Sequence, residues 1–520
     1  MEDTTPLICD QYSNSIEQVT VNFDQVTPFV SLDEMIEQSL EANFGCAQFV
    51  QAVLVSLLMI FDAQQAFLAV YTDAEPTWHC TDNVACNSSS NICSLSKTSW
   101  AWDGTAYNTI ISYWSLECAS SIITGLPSSC FFAGCLLGGF VLSIHGDSSL
   151  GRKKLLFLSC FGMSIAALAT IFSTNIWVYS SLRFVTGVFR ASIITTVLVL
   201  LMEMVGKKWR AHIGIISFCC FNIGTLSLPA MAYLNRNSSW KNLYVLISTP
   251  AILYCIVAYF FVSESPRWLF MHGHEIEAIA ALKRLTSVNN HERLNLCLAN
   301  NMPSNREFVS PYKSDLCSLF KDFFKRKWPL KRLLGIMTLA FGIGLVYYGM
   351  LLGVGNLGFD IYLSLTFNAL LEIPAYFLTF FLIEKCDRTS SMLAFSIVSG
   401  TCSIISGVIG DGRKLLQIGF ELASFFSICV AFNVVLIYAT ELFPTCVRNS
   451  ATSMVRQATI FGAVLSPIVI SAGRQNDDQL VCYGVFGLVI LFCGLFAICL
   501  PETRGVTLCD TLDEQYCMQG

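Results

Sequence analysis

Twelve apolar blocks of about 20 residues constrain this chain more than any other feature of it. A helix needs about 20 apolar residues to cross the hydrocarbon core of a bilayer. The blocks fall near 46–70, 121–144, 154–172, 176–200, 211–234, 243–262, 333–353, 357–383, 391–410, 415–439, 450–473 and 480–500. In lipid every backbone N–H and C=O must be satisfied within its own segment, so each block is expected to be an α-helix. Composition agrees: 54% of the 520 residues are hydrophobic and 13% are charged. A soluble chain carries about 25% charged residues. That shortage of charge excludes a cytosolic enzyme, a nucleic-acid binder and a disordered regulator. The first block follows an acidic stretch, whereas a signal peptide opens on a basic region, so the block is read as a span.

Basic residues orient the spans. With both termini cytoplasmic, the inside loops and tail hold 22 Lys and Arg and the outside loops hold six. This is the bias expected when cytoplasmic loops retain positive charge. The expected layout is a cytoplasmic tail at 1–45 and a six-helix half at 46–262 that includes a large outside or luminal loop at 71–120. A cytoplasmic linker at 263–332, a second six-helix half at 333–500 and a tail at 501–520 follow. The fold class is therefore an all-α membrane protein of twelve transmembrane helices in two six-helix halves.

Cysteines fit this topology. Most of the 23 lie in apolar blocks, where they act as small apolar residues. Cys80, Cys86, Cys93 and Cys118 share loop 71–120, and in an oxidising compartment they predict two disulfides with three open pairings. The same loop carries the glycosylation sequon Asn87-Ser88-Ser89.

The chain also repeats itself. Glu203 and Arg210 follow the fourth block, and Glu441 and Arg448 follow the tenth, at an offset of 238. Glu264 and Arg267 follow the sixth block, and Glu502 and Arg504 follow the twelfth, again at 238 for the acids. Asp147 and Arg152 between the second and third blocks match Asp387 and Arg388 between the eighth and ninth, at 240 for the acids. Two halves in parallel, each with charge clusters at the same cytoplasmic positions, make a transporter layout. Acid–base pairs at these helix ends are expected to bridge neighbouring helices and to act as a gate that holds one access state. Mere positive-inside topology would explain the bases but not the repeated acids.

Charges inside the spans are direct candidates for a binding site, because ionised groups there are costly and face a cavity or a partner. Asp62 could pair a quaternary or protonated amine, or cap a helix break near Gln64 and Gln65. Glu372, two residues before Pro374, could bind a cation or a proton, or serve as a structural hydrogen bond at a proline kink. Arg456 could hold a carboxylate or pair with an acid. Gly146 to Lys153 imitates a phosphate loop, but Arg152-Lys153 stands where Lys followed by Ser or Thr is needed, and no strand precedes it. His residues are scattered away from paired cysteines, so no metal and no cofactor is expected.

At these motifs the chain resembles a known family. Asp147 with Gly151-Arg152-Lys153, the run Glu264 to Leu269, the run Glu441 to Asn449 and the run Pro501 to Gly505 are similar to the motifs of the organic cation/carnitine transporters of the major facilitator superfamily. Phe61 to Gln65, Trp78-His79-Cys80 and the Asp147 to Arg152 form of the loop motif are similar to its plant members. The resemblance covers residues from about 30 to 505. It implies the major facilitator fold, with Tyr347 and Tyr348 at family positions where aromatic faces can hold a cation. In the eleventh helix, the position where animal members place a substrate-discriminating charge is Ile460, and Arg456 lies one turn before it. The implied function is secondary active transport of organic cations or zwitterions such as carnitine by alternating access, with protons as the coupling ion and no ATP hydrolysis. The alternatives are a sugar or organic anion transporter of the same superfamily, or a non-transporting transceptor. Asp3 through Leu7-Ile8 fits an acidic dileucine sorting pattern, which favours the vacuolar membrane, with the plasma membrane as alternative.

Overall fold

The computed structural model describes residues 45–81, 92–103, 108–146, 150–206, 209–285, 327–353, 360–409, 413–443, 445–475 and 479–504. Among them twelve helices are long and apolar enough to cross a membrane: α1 Cys46–Thr72, α2 Ser121–Val141, α3 Arg152–Phe172, α4 Ile176–Met204, α5 His212–Leu234, α6 Trp240–Phe261, α7 Trp328–Gly353, α8 Ile361–Lys385, α9 Arg388–Ile409, α10 Lys414–Leu442, α11 Ser450–Arg474 and α12 Leu480–Cys499. These match the twelve apolar blocks.

Local chemistry sets the helix ends. Asn175 accepts from the Val178 N–H at 2.9 Å to cap α4, and Asp360 accepts from the Tyr362 N–H at 2.8 Å to cap α8. Pro127, Pro229, Pro250, Pro374 and Pro467 lie inside helices. Neighbouring helices and local adjustments satisfy the backbone groups that such prolines free in membrane helices. The helical pattern is locally interrupted at Leu57 and Leu68 of α1 and at Ala191–Ser192 of α4. These interruptions lie within two turns of the buried charges described below.

Within the first half α2 packs on α4, α3 on α4 and α6, and α1 on α5; in the second, α7 packs on α11, α9 on α10 and α12, and α8 on α10. Close approach needs glycine. A Cβ on Gly344 or Gly462 would overlap backbone of the facing helix, which is how α7 and α11 come together. The halves meet along α2–α11 and α5–α8. Large apolar side chains on the outer surfaces stay exposed, among them Phe260 at 74% and Phe377 at 74%, as lipid contact requires.

Loop 71–120 has structure that its composition did not announce. Trp78–Cys80 (β1) pairs antiparallel with Trp100–Trp102 (β2), with Trp78 opposite Trp102 and Cys80 opposite Trp100. His79 Nδ1 meets the Asp103 carboxylate at 2.6 Å, and bonds from Thr77 and His79 hold Asp103 below the usual carboxylate range. Cys93 and Cys118 form a disulfide, and Cys80 is disulfide-bonded as well. Cys86 and Asn87 lie outside the described residues. In the interval after α6, Pro266–Met271 and Glu275–Leu285 form two short helices.

Candidate functional site

Buried charge gathers between the halves. Asp62 on α1 is fully buried, and its Oδ2 accepts from Arg190 Nη2 on α4 at 2.8 Å. Gln64 and Gln65 turn instead to α5 and α6, where they reach Ser227 at 2.9 Å and Ser248 at 3.2 Å. Asp62 is therefore an ion-pair partner. Arg190 Nη1 also reaches the Cys135 thiol at 3.9 Å, and its guanidinium lies 5.7 Å from the Phe131 ring. One face of α4 supplies a second guanidinium, because Arg183 lies seven residues before Arg190. It is fully buried, 4.3 Å from the same Phe131 ring.

Arg456 reaches this cluster from α11. Its Nη2 donates to the Ala191 carbonyl at 3.3 Å, at the point where α4 breaks. It lies within the electrostatic reach of Asp62, Arg190 and Tyr348. Ile460 packs one turn further along α11, in an apolar cluster with Phe131, Phe132 and Cys135. Ile460 thus adds an apolar side chain to the Phe131 surroundings of the buried guanidinium groups.

Glu372 on α8 is a further buried acid. It is 2% exposed, and its Oε1 accepts from the Tyr347 hydroxyl on α7 at 2.5 Å. Tyr347 in turn stacks on Phe425 and Phe432, with ring centroids 5.8 and 4.9 Å away. Much of its ring is covered, so it serves Glu372 through its hydroxyl more than it offers a free face. Tyr348 packs against Phe132 at 5.0 Å and Phe67 at 6.4 Å, and so bridges the two halves. The rings of Tyr347 and Tyr348 meet at 5.1 Å, so the Glu372 carboxyl and the guanidinium groups that act on Tyr348 are linked through adjacent tyrosines.

The repeated charges build two matching networks, one in each half. Glu264 accepts from the Lys153 N–H at 2.9 Å, capping the start of α3, while Arg152 lies 3.7 Å from Glu203 at the end of α4. Glu502 accepts from the Arg388 and Thr389 N–H groups at 3.0 Å each, capping the start of α9, while Arg388 lies 3.3 Å from Glu441 at the end of α10. Partial burial opposes ionisation of Glu502, but the Thr389 hydroxyl and the backbone N–H groups of Arg388, Thr389 and Arg504 prevail and hold its carboxyl below the usual range. Asp387 lies 3.5 Å from Arg504. The other arginines of these motifs have different partners: Arg210 donates to the Met202 carbonyl at 3.1 Å and Arg448 to the Phe443 carbonyl at 3.2 Å. Arg267 lies in the field of Glu203. Asp147 lies outside the described residues. The spacing in sequence suggested pairing of Glu203 with Arg210. The structure brings Arg152 to that acid, because α3 starts beside the end of α4.

Contacts between the halves gather at the helix ends next to loop 71–120. Tyr362 of α8 stacks on Tyr71 at 5.3 Å and meets Tyr233 edge-on at 5.5 Å. Arg474 at the end of α11 lies 3.9 Å from Glu75, and Gly125 of α2 abuts the Pro467 carbonyl of α11. Sequence reading passed over Arg183, Arg190 and Glu421 as site groups. Each is a charge inside a span, so the rule that singled out Asp62 would have found them.

Two six-helix halves enclosing a buried site of mixed charge define a multi-pass transporter of the major facilitator superfamily. A family model described as sugar (and other) transporter matches residues 65–513. The chain belongs to the organic cation/carnitine transporter family within that group. It is 49% identical to organic cation/carnitine transporter 2 of Arabidopsis thaliana, over 99% of this chain and 97% of that one. It is 42% identical to organic cation/carnitine transporter 5 of the same plant, over 94% and 93% of the two chains. It is 28% identical to solute carrier family 22 member 3 of Mus musculus, over 78% and 72%. In fold it is similar to the partially occluded inward-open xylose transporter XylE of E. coli, with a TM-score of 0.62 at 14% identity, over 89% of this chain and 99% of that one.

Proposed function

We propose that the protein is a secondary active transporter of small organic cations or zwitterions such as carnitine, working by alternating access and coupled to protons. The observation that carries this reading is a buried acid, Glu372, joined through Tyr347 and Tyr348 to the buried Arg456 and Arg190. A zwitterion has an ammonium group for the first and a carboxylate for the second. Buried ionisable groups in a span are costly and are kept where substrates or ions pass. The relatives named for organic cations and carnitine support the same substrate class. Contacts of Tyr71 and Tyr233 with Tyr362, and of Glu75 with Arg474, support an outer side drawn together, one of the two states that rocking of the halves requires.

Reconstituted vesicles offered carnitine, choline, a polyamine and a hexose test it. Uptake of one of the first three, competed by the unlabelled compound, is expected. Hexose uptake alone would favour the sugar-transporting alternative. For location we propose the vacuolar membrane. A tagged protein with Leu7 and Ile8 replaced by Ala is expected to move to the cell surface; a surface signal in both forms would overturn this.

A further inference from the structure

One buried carboxyl takes no part in the site described above. Glu421 lies on α10, 1% exposed, and its Oε1 accepts from Asn368 Nδ2 on α8 at 3.2 Å. Asp62 has a guanidinium beside it and Glu372 has a phenol, but no Lys or Arg among the described residues acts on Glu421. The titratable groups around it are uncharged as acids: Tyr483 from α12 and Cys429 two turns along α10. On α8, Glu372 lies one turn beyond Asn368 and is held by Tyr347 of α7. From α9 the neighbours of α10 are hydroxyls, with Ser399 on Ser424 at 3.1 Å and Ser406 on the Gln417 carbonyl at 3.1 Å. The charged groups of α11 face elsewhere, Arg456 toward Asp62 and Arg474 toward Glu75.

A bare carboxylate in that setting would be costly, since a buried charge without a counter-ion loses its hydration for nothing. The partner amide has the complementary fault. Asn368 is 0% exposed and its Oδ1 receives no hydrogen bond from the described residues. One proton on Glu421 removes both faults. It neutralises the carboxyl and gives it an O–H donor, and a carboxylic acid with a primary amide can then exchange two hydrogen bonds, N–H to O=C one way and O–H to O=C the other. We propose that Glu421 carries a dissociable proton, shared with Asn368 as an acid–amide pair between α8 and α10, and that this is the proton coupled to transport. The coupling role rests on the transport reading; the protonation does not. Loading adds one proton from water to the carboxylate, and unloading returns it to water on the opposite face. A shift of α8 against α10 within the second half, accompanying the rocking of the halves, breaks the pair and stabilises the carboxylate by hydration, which ties unloading to the change of access state.

Two measurements separate these claims. In the first, purified full-length protein is titrated with pH and its carboxyl C=O stretch followed by infrared difference spectroscopy. A band lost on raising the pH, absent from Glu421→Gln and shifted in midpoint in Asn368→Ala, is expected. The same band in Glu421→Gln overturns the protonation claim. In the second, vesicles holding wild type or Glu421→Gln are compared in substrate exchange and in accumulation driven by a pH gradient. Gln preserves the shape and can still pair with Asn368, so exchange is expected to persist while gradient-driven accumulation is lost. Accumulation equal to wild type, or accumulation that follows a sodium gradient instead, overturns the coupling role. Wild type that moves none of the cations offered would overturn the transport reading, and the infrared titration would still decide the protonation.

Discussion

Arg388 at the start of α9 and Glu441 at the end of α10 lie 3.3 Å apart, and their repeat mates Arg152 and Glu203 lie 3.7 Å apart at the matching place in the other half. Each pair ties two consecutive helices of one half, the start of the first to the end of the second, beside a glutamate that caps the first of them. The Arg388 side chain is 10% exposed and Glu441 24%. Thr503 Oγ1 adds a bond to Glu441 at 2.7 Å.

Removing one charge of such a pair is expected to lower turnover more than surface expression. Glu441→Gln loses a charge-assisted bond of about 1.5–3 kcal/mol, discounted for the solvent that reaches the pair. Glu203→Gln loses a longer ion pair, at 3.7 Å, of about 1 kcal/mol or less. If the pairs hold one access state, that loss shifts the conformational balance. Uptake rates normalised to surface protein check this, and unchanged rates in both variants would remove the gating role.

Asp62→Asn leaves Arg190 buried without its carboxylate. Breaking a buried pair from one side costs about 3–5 kcal/mol, so a clear fall in melting temperature in detergent is expected. The double variant Asp62→Asn with Arg190→Gln should recover stability but not substrate binding. A single variant as stable as wild type would show that the pair is not energetically important.

The Cys93–Cys118 disulfide spans 25 residues of loop 71–120. Closing a loop of that size stabilises by about 3.5 kcal/mol in the chain-entropy account. Cys118→Ser is therefore expected to melt earlier and to expose Cys93 to a membrane-impermeant thiol reagent, read by mass shift. Equal labelling of wild type would contradict the bond.

Glu502 gives a pH dependence with a definite sign. Its folded pKa is depressed, so the unfolded chain takes up the proton first as pH falls. The stability it adds is full above the ordinary glutamate value of about 4.3, and it is lost as pH falls through the lower folded value. Melting temperature against pH should therefore decline on the acid side in wild type and decline less in Glu502→Gln. Parallel acid limbs would show that the cap contributes nothing.

Helix number and the duplicated layout were legible in the chain itself, because apolar length and the recurrence of Glu203 with Glu441 at 238 residues are properties of linear order. The hairpin at Trp78 and Trp100 was not legible, since two three-residue strands leave no period to read. Asp62, Glu372 and Arg456 were recognisable as costly charges, yet nothing local named their partners. Arg190 stands 128 positions from Asp62, and Arg152 rather than Arg210 reaches Glu203. Those choices belong to tertiary structure. In a membrane the apolar surface of a helix is satisfied by lipid on any side, so its rotation is set by packing and polar contacts with helices remote in sequence. The same packing decides that Glu421 faces an amide and Asp62 a guanidinium, and so which carboxyl can part with a proton.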